Sequence, residues 1–169
     1  VRLHQLEVTA FGPFATTVEV DFDALADGGL FLLCGPTGAG KSSILDAVCF
    51  ALYGGVPGDR NDARHLRSDG APPERSPRVR LETTLSGRRF RLTRSPAWDR
   101  PKKRGAGTTR EQASVLVEER VDGSWTHLTG RLDEAGHLVG RLLGMTMSQF
   151  CQVVLLPQGD FQRFLKARA

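Results

Sequence analysis

Eight consecutive residues, Gly35-Pro36-Thr37-Gly38-Ala39-Gly40-Lys41-Ser42, restrict what this chain can fold into more than any other stretch. They satisfy every fixed position of G-x-x-x-x-G-K-[ST], a loop whose backbone N–H groups wrap a phosphate. The flanks fit as well. Gly29–Cys34 is a short apolar run of buried-strand length, and Ile44, Leu45, Val48, Cys49 and Leu52 recur at helical spacing before Tyr53. Strand, glycine loop and helix in that order form the context the motif needs.

The residue types follow from the charge of a triphosphate. Gly35, Gly38 and Gly40 let the backbone approach the anion and turn N–H groups towards it, with Pro36, Thr37 and Ala39 completing the cradle. A helix beginning near Lys41 aims its positive dipole end and its unpaired N–H groups, through Ser43, at the same anion. Lys41 is the expected partner of the β/γ-phosphates. The Ser42 hydroxyl is the expected ligand of Mg²⁺, which takes hard oxygen donors. ATP and Mg²⁺ are therefore the expected cofactors.

A chain of 169 residues suits one domain with a sizeable core. It has no apolar run of membrane-spanning length and no visible signal peptide, so no membrane partner is expected. It opens Val1-Arg2-Leu3 without a methionine and stops at Ala169 within an apparent helix, as a fragment would. Cys34, Cys49 and Cys151 make no disulfide framework or metal-ligand spacing. They read as small core residues of a reduced, cytoplasmic protein. His4, His65, His127 and His137 are isolated and read as surface or loop residues. The net charge of +4 hides an asymmetry: residues 60–110 hold fifteen Lys/Arg and five Asp/Glu, a balance of +10, leaving −6 elsewhere. Such a concentration suggests a polyanionic partner, with DNA the natural candidate; a solvated basic loop is the plain alternative.

Alternation predicts strands over Leu3–Thr9 and Thr17–Phe22, separated by the break Ala10-Phe11-Gly12-Pro13-Phe14, with a turn at Asp27-Gly28-Gly29. Residues 54–78 read as a connector. Val79–Leu85 and Arg88–Thr93 around Ser86-Gly87, and Ser114–Val121 and Ser124–His127 around Asp122-Gly123, read as hairpins. Residues 95–111 read as a mobile loop and 128–143 as a helix weakened by Gly136 and Gly140. Ser148–Cys151 leads into the apolar run Val153–Leu156, broken by Pro157-Gln158-Gly159. Asp160 is placed to cap a last helix through Phe161, Phe164 and Leu165. The expected class is α/β: a phosphate-loop lobe with a mixed sheet and flanking antiparallel hairpins.

Four stretches together resemble the N-terminal ATPase segment of the SbcC family, relatives of the SMC proteins and of ABC-type ATPases. They are Leu6–Phe14, Gly35–Ala47, the basic run Arg94-Ser95-Pro96 with Arg100–Thr109, and Phe150–Phe161 with Phe164-Leu165. The phosphate loop is shared by many families, whereas the last two stretches at this spacing are far more specific. The resemblance implies an ABC-type head lobe over 1–159 and the start of a coiled-coil helix over 160–169. It implies that Gln158 is the Q-loop glutamine, reaching Mg²⁺ and the attacking water; by itself Pro157-Gln158-Gly159 reads as a turn. With Lys41, Gln158 would form the catalytic pair of this lobe.

The resemblance further implies partners: the C-terminal lobe of the same protein, a second head in a homodimer, the SbcD nuclease, and double-stranded DNA ends and hairpins. Arg100, Lys102, Lys103 and Arg104 become the candidate DNA contacts. The implied setting is cytoplasmic and nucleoid-associated. Where relatives carry Arg or another polar residue after the first-strand phenylalanine, this chain has Gly12-Pro13, so no side-chain contact to nucleotide carries over there. The signature motif, the Walker B Asp-Glu pair and the switch histidine find no matching stretch. The site read here is therefore half of one. A RecN or SMC head that tethers DNA, and a small phosphotransferase with a basic lid over 95–111, remain as alternatives.

Overall fold

A computed structural model describes residues 1–25, 32–57, 66–102 and 104–155. Its centre is a sheet of six strands in the order β2-β1-β3-β4-β7-β8: β1 Arg2–Thr9, β2 Val18–Asp21, β3 Arg78–Leu85, β4 Arg88–Ser95, β7 Ser114–Val121 and β8 Ser124–Thr129. All five of its ladders are antiparallel. β5 Trp98–Pro101 and β6 Thr108–Glu111 form a separate two-stranded ribbon between β4 and β7. The helices are α1 Phe22–Leu25, α2 Lys41–Tyr53, α3 Leu132–Leu143 and α4 Met147–Phe150, with a π-helical turn over Cys151–Leu155.

Period-two burial explains the sheet. Leu6 and Val8, Val79 and Leu81, Phe90 and Leu92, and Val115 and Val117 point to one face and are buried there. That face is covered by α2, through Ile44, Ala47, Val48, Ala51 and Leu52, and by α3, through Ala135 and Val139. Both predicted hairpin turns form. Ser86-Gly87 and Asp122-Gly123 have positive φ at both central positions, 48° and 77°, and 50° and 82°. This is the type I′ geometry that matches strand twist.

The opposite face is laced by ion pairs. Glu7 accepts from Arg78 and Arg80 at 2.7 Å each, Arg89 reaches Glu82 at 3.0 Å, and Arg91 grips Glu118 through two bonds of 2.6 and 2.7 Å. Arg91 also lies over the Trp125 ring at 4.5 Å. At the far end of the β4–β7 ladder, Arg88 holds Glu119 in the same two-pronged way. The Arg91 and Arg88 guanidinium groups hold the Glu118 and Glu119 carboxyls below the usual carboxylate range.

Several expectations change. The run before the phosphate loop has no strand assignment over Leu32–Pro36, so among the described residues every ladder is antiparallel. The expected strand at Thr17–Phe22 stops at Asp21, and Phe22 opens α1. The described part of 95–111, expected as a loop, holds the paired strands β5 and β6. Trp98 is buried as an anchor with Arg67 over its ring at 5.4 Å, and Asp99–Arg110 and Arg100–Glu111 pair across the strands. A two-stranded ribbon buries no face of its own, so it leaves no apolar alternation to read. His4 is not a surface residue: it is buried on β1, with Nδ1 2.8 Å from Asp23 Oδ2 and Nε2 2.7 Å from Thr84 Oγ1. Cys34 is exposed, not a core residue. The turn at 27–29, His65 and the cap and helix expected from Asp160 lie outside the described residues.

Among the described residues, Arg94 is the sheet arginine buried on the core face. It is 4% exposed; its Nε donates to the Ala51 carbonyl at 2.8 Å and its Nη2 to Leu52 at 3.2 Å. These are last-turn carbonyls of α2, which otherwise lack helical partners, and the cation sits at the negative end of the dipole. Burial pushes its pKa down to about 10, so it stays charged through the neutral range. Arg94→Ala strands those carbonyls in a dry site, a loss of about 2–3 kcal/mol. A melting scan of the full-length protein should show this as a fall of roughly 5–10 °C for the unit that unfolds with the sheet. An unchanged melting temperature would show that α2 needs no such cap.

Candidate nucleotide-binding site

The phosphate loop leads straight into α2. Gly40 is the N-cap, with φ 90° and ψ 12°, and no side chain caps the helix. The first N–H groups of α2 are thus left for a ligand, beside a backbone conformation that glycine adopts without strain. The loop is closed by Ala39 N–H donating to the Pro36 carbonyl at 3.2 Å. Lys41 folds back over it, its Nζ donating to the carbonyls of Gly35 and Pro36 at 2.7 Å each. Thr37 and Gly38 are exposed, as is Ser42, while Ser43 is half-buried. The nine expected loop residues, Gly35 to Ser43, therefore form one open cradle holding an ammonium group and a hydroxyl. That donor set fits a polyphosphate with a hard divalent cation.

A second element borders the cradle, the break after β1 that the sequence marks at Ala10-Phe11-Gly12-Pro13-Phe14. The turn after β1 is a tight one, with Phe11 N–H bonded to the Phe14 carbonyl at 3.1 Å and Phe14 N–H to Phe11 at 3.0 Å. It is tied down by Gly12 N–H to Leu66 O and Ser68 N–H to Ala10 O, 2.9 Å each. A Cβ built on Gly40 would lie 2.5 Å from Phe14 Cζ and 3.1 Å from Pro13 Cγ, and one on Gly12 would lie 3.5 Å from Ser43 Oγ. Gly40 is thus required twice, for its φ and for this close approach.

The other side of α2 carries the segment that leads towards residue 156. α4 starts with a capping box of Thr146 and Gln149. Its Phe150 ring lies 5.4 Å from Tyr53, the Tyr53 hydroxyl donates to the Met145 carbonyl at 3.2 Å, and Cys49 Sγ lies 3.8 Å from Cys151 Sγ. Burial, reinforced by Cys151, pushes the Cys49 thiol far up; burial likewise raises Tyr53 to about 12. The Cys49 thiol is a packing group at neutral pH. Gln158 lies outside the described residues, as does Lys103. Among the described residues no cluster of His, Cys, Asp or Glu is built to hold a metal. Among the described residues no single helix is long and apolar enough to cross a membrane.

The basic stretch 60–110 is less basic in space than in sequence. Arg78, Arg80, Arg88 and Arg91 pair with Glu7, Glu119 and Glu118, acids from outside it. Of the candidate DNA contacts, Arg100 is engaged by Glu111, while Lys102 and Arg104 stand exposed at the ribbon tip with no ion pair among the described residues.

The AAA domain model matches residues 5–169. The chain belongs to that family. It is 43% identical over its full length to the SbcC component of the SbcCD nuclease of Vibrio cholerae, covering 17% of that protein. It is 39% identical over 96% of its length to the SbcC of Lactococcus lactis, covering 16% of it, and 34% identical over 95% to that of Staphylococcus aureus, covering 15%. The chain thus spans about one-sixth of the length of the curated relatives it matches. Resemblance to SbcC, read from four stretches of sequence, holds along the whole chain, and the lobe is that of a P-loop ATPase.

Gly40→Ala should push Phe14 away and strain the loop by roughly 1–3 kcal/mol. Titration of the full-length protein with Mg-ATP is expected to show at least tenfold weaker binding. Unchanged affinity would mean that the observed loop conformation is not the one that binds.

Proposed function

We propose that this chain is the N-terminal lobe of an SbcC-type ATPase head, binding Mg-ATP in the Gly35–Ser43 cradle. The observation that carries the reading is the joint geometry of Gly40, Lys41 and the open start of α2 in a chain 43% identical to an SbcC protein. The N–H groups at the helix start orient the α/β-phosphates. Lys41 exchanges its two carbonyl partners for the β/γ-phosphates and balances charge there. Ser42 supplies a hydroxyl to the cation. Mg²⁺, when bound, neutralises phosphate charge and polarises the phosphoryl group. Gln158 is assigned the part of holding the attacking water near that centre.

A cradle this open cannot exclude water, and no carboxylate from this lobe is assigned to the attacking water. Turnover then needs the C-terminal lobe and the opposing face of a second head in a homodimer. ATP-driven closure and reopening of that dimer would gate double-stranded DNA into the SbcD nuclease, processing ends and hairpins during repair in the nucleoid-associated cytoplasmic complex. Lys102 and Arg104, exposed at the ribbon tip, are the proposed phosphate contacts of this lobe together with Arg100 and with Lys103, which lies outside the described residues.

Lys41→Ala in the full-length protein should weaken Mg-ATP binding by a hundredfold or more, with the melting temperature of the apo form kept within a few degrees. Equal affinity in wild type and variant would sink the assignment. Replacing Lys102, Lys103 and Arg104 by Gln in the complex should lower DNA affinity and reduce the log–log salt slope by about 2–3. A slope identical to wild type would reassign the ribbon tip to another partner.

A further inference from the structure

We infer that the cavity at the C-terminal end of α2 is a binding site for a small monocarboxylate, with Arg94 as the group that receives its charge. Capping α2 uses only part of the Arg94 donor set. Nε and Nη2 donate to the Ala51 and Leu52 carbonyls, which leaves the two N–H groups of Nη1 without an acceptor among the described residues. No described carboxylate pairs with the guanidinium, and burial is the cause of its lowered pKa. A side chain that is 4% exposed thus carries its charge without a counterion. Buried charges are ordinarily paired, because an uncompensated one is costly.

Gly54 keeps the way to Nη1 open. It is the C-cap of α2, with φ 79°, and a Cβ built on it would lie 3.0 Å from Nη1. Gly54 and Arg94 line a cavity of about 120 Å³, walled by the buried Phe50, Leu66 and Pro96, with the exposed Ala113 at its rim. A cavity of about 150 Å³ takes benzene, so this one has room for about five non-hydrogen atoms. Among the described residues that line it, no other is charged. One cation balances a monoanion, whereas a phosphate dianion would keep an uncompensated charge against apolar walls. A carboxylate on a short carbon chain satisfies the volume, the charge and the walls together. The site lies at the opposite end of α2 from the phosphate loop, so it is separate from the nucleotide cradle.

Propionate and propionamide have nearly the same shape and differ in charge, so they separate a carboxylate site from a merely apolar hollow. Both are titrated into the full-length protein, as wild type and as Ala113→Leu, with saturation-transfer NMR as the readout. Ala113 is exposed and directly precedes β7, so a leucine there fills the rim while Arg94 and α2 stay in place. Propionate is expected to bind the wild type with a Kd on the order of 1–10 mM, and propionamide at least about tenfold more weakly. Ala113→Leu is expected to lower propionate affinity by roughly fivefold or more. Equal affinity for the two ligands would show that no charge is read there. Unchanged propionate affinity in Ala113→Leu would place the binding elsewhere. No saturable signal up to about 100 mM propionate would leave Arg94 as a helix cap alone. Each of these results overturns the inference. The comparison of the two ligands needs no variant, so it decides even if Ala113→Leu does not fold.

Discussion

The fold depends on one helix being fixed at both ends. α2 runs across the core face of the sheet; its start is set by Gly40 against Phe14 and its finish by Arg94 beneath Ala51 and Leu52. The two ends differ in chemistry. At the N-terminus the backbone donors are left without a side-chain cap, where a phosphate can use them. At the C-terminus the acceptors are satisfied by a buried guanidinium. The same helix dipole is therefore open to a ligand at one end and compensated by the protein at the other. Sliding α2 by one turn would uncouple both contacts together with the packing of Ile44, Val48 and Leu52.

The phosphate loop was legible because its chemistry is local: nine consecutive residues, each with a reason set by backbone geometry or charge. The hairpins were legible for the same reason, since Ser86-Gly87 and Asp122-Gly123 specify their own turn geometry. Arg94 was not. In sequence it is one of fifteen cations between residues 60 and 110, and only the register Val79↔Arg94 with its burial separates it from Arg91 three positions earlier. Period two puts Leu92 and Arg94 on the core face and Arg91 on the other. The alternation could have flagged Arg94 as a cation on an apolar face, but not which carbonyls it would meet.

Charge counting failed for a related reason. A balance of +10 along the chain assumes that charges adjacent in sequence share one surface. Antiparallel pairing brings β1 and β7 alongside β3 and β4, and with them Glu7, Glu118 and Glu119. Among the described residues of that stretch, Arg75 and the ribbon-tip residues Lys102 and Arg104 stay exposed without an ion pair, and the resemblance to SbcC had singled out the tip. The pairing of His4 with Asp23 and Thr84 escaped notice likewise, because its partners are 19 and 80 residues away.

The resting posture of Lys41 sets how the loop meets its ligand. Its ammonium is not waiting in solvent; it already donates to the Gly35 and Pro36 carbonyls. An arriving phosphate must offer more than those two hydrogen bonds, and a dianionic oxygen does so through charge as well as geometry. A neutral ligand of the same shape does not. On the proposed reading, the two hydrogen bonds that Lys41 already makes favour a ligand of concentrated negative charge. It also means that ligand arrival frees the Gly35 and Pro36 carbonyls at the same moment as it recruits Lys41. On the proposed nucleotide reading, the phosphate would draw Lys41 out of its present arrangement on Gly35 and Pro36, the kind of discrete local change that a helix pinned at both ends can pass on to the sheet and to the segment packed along its far side.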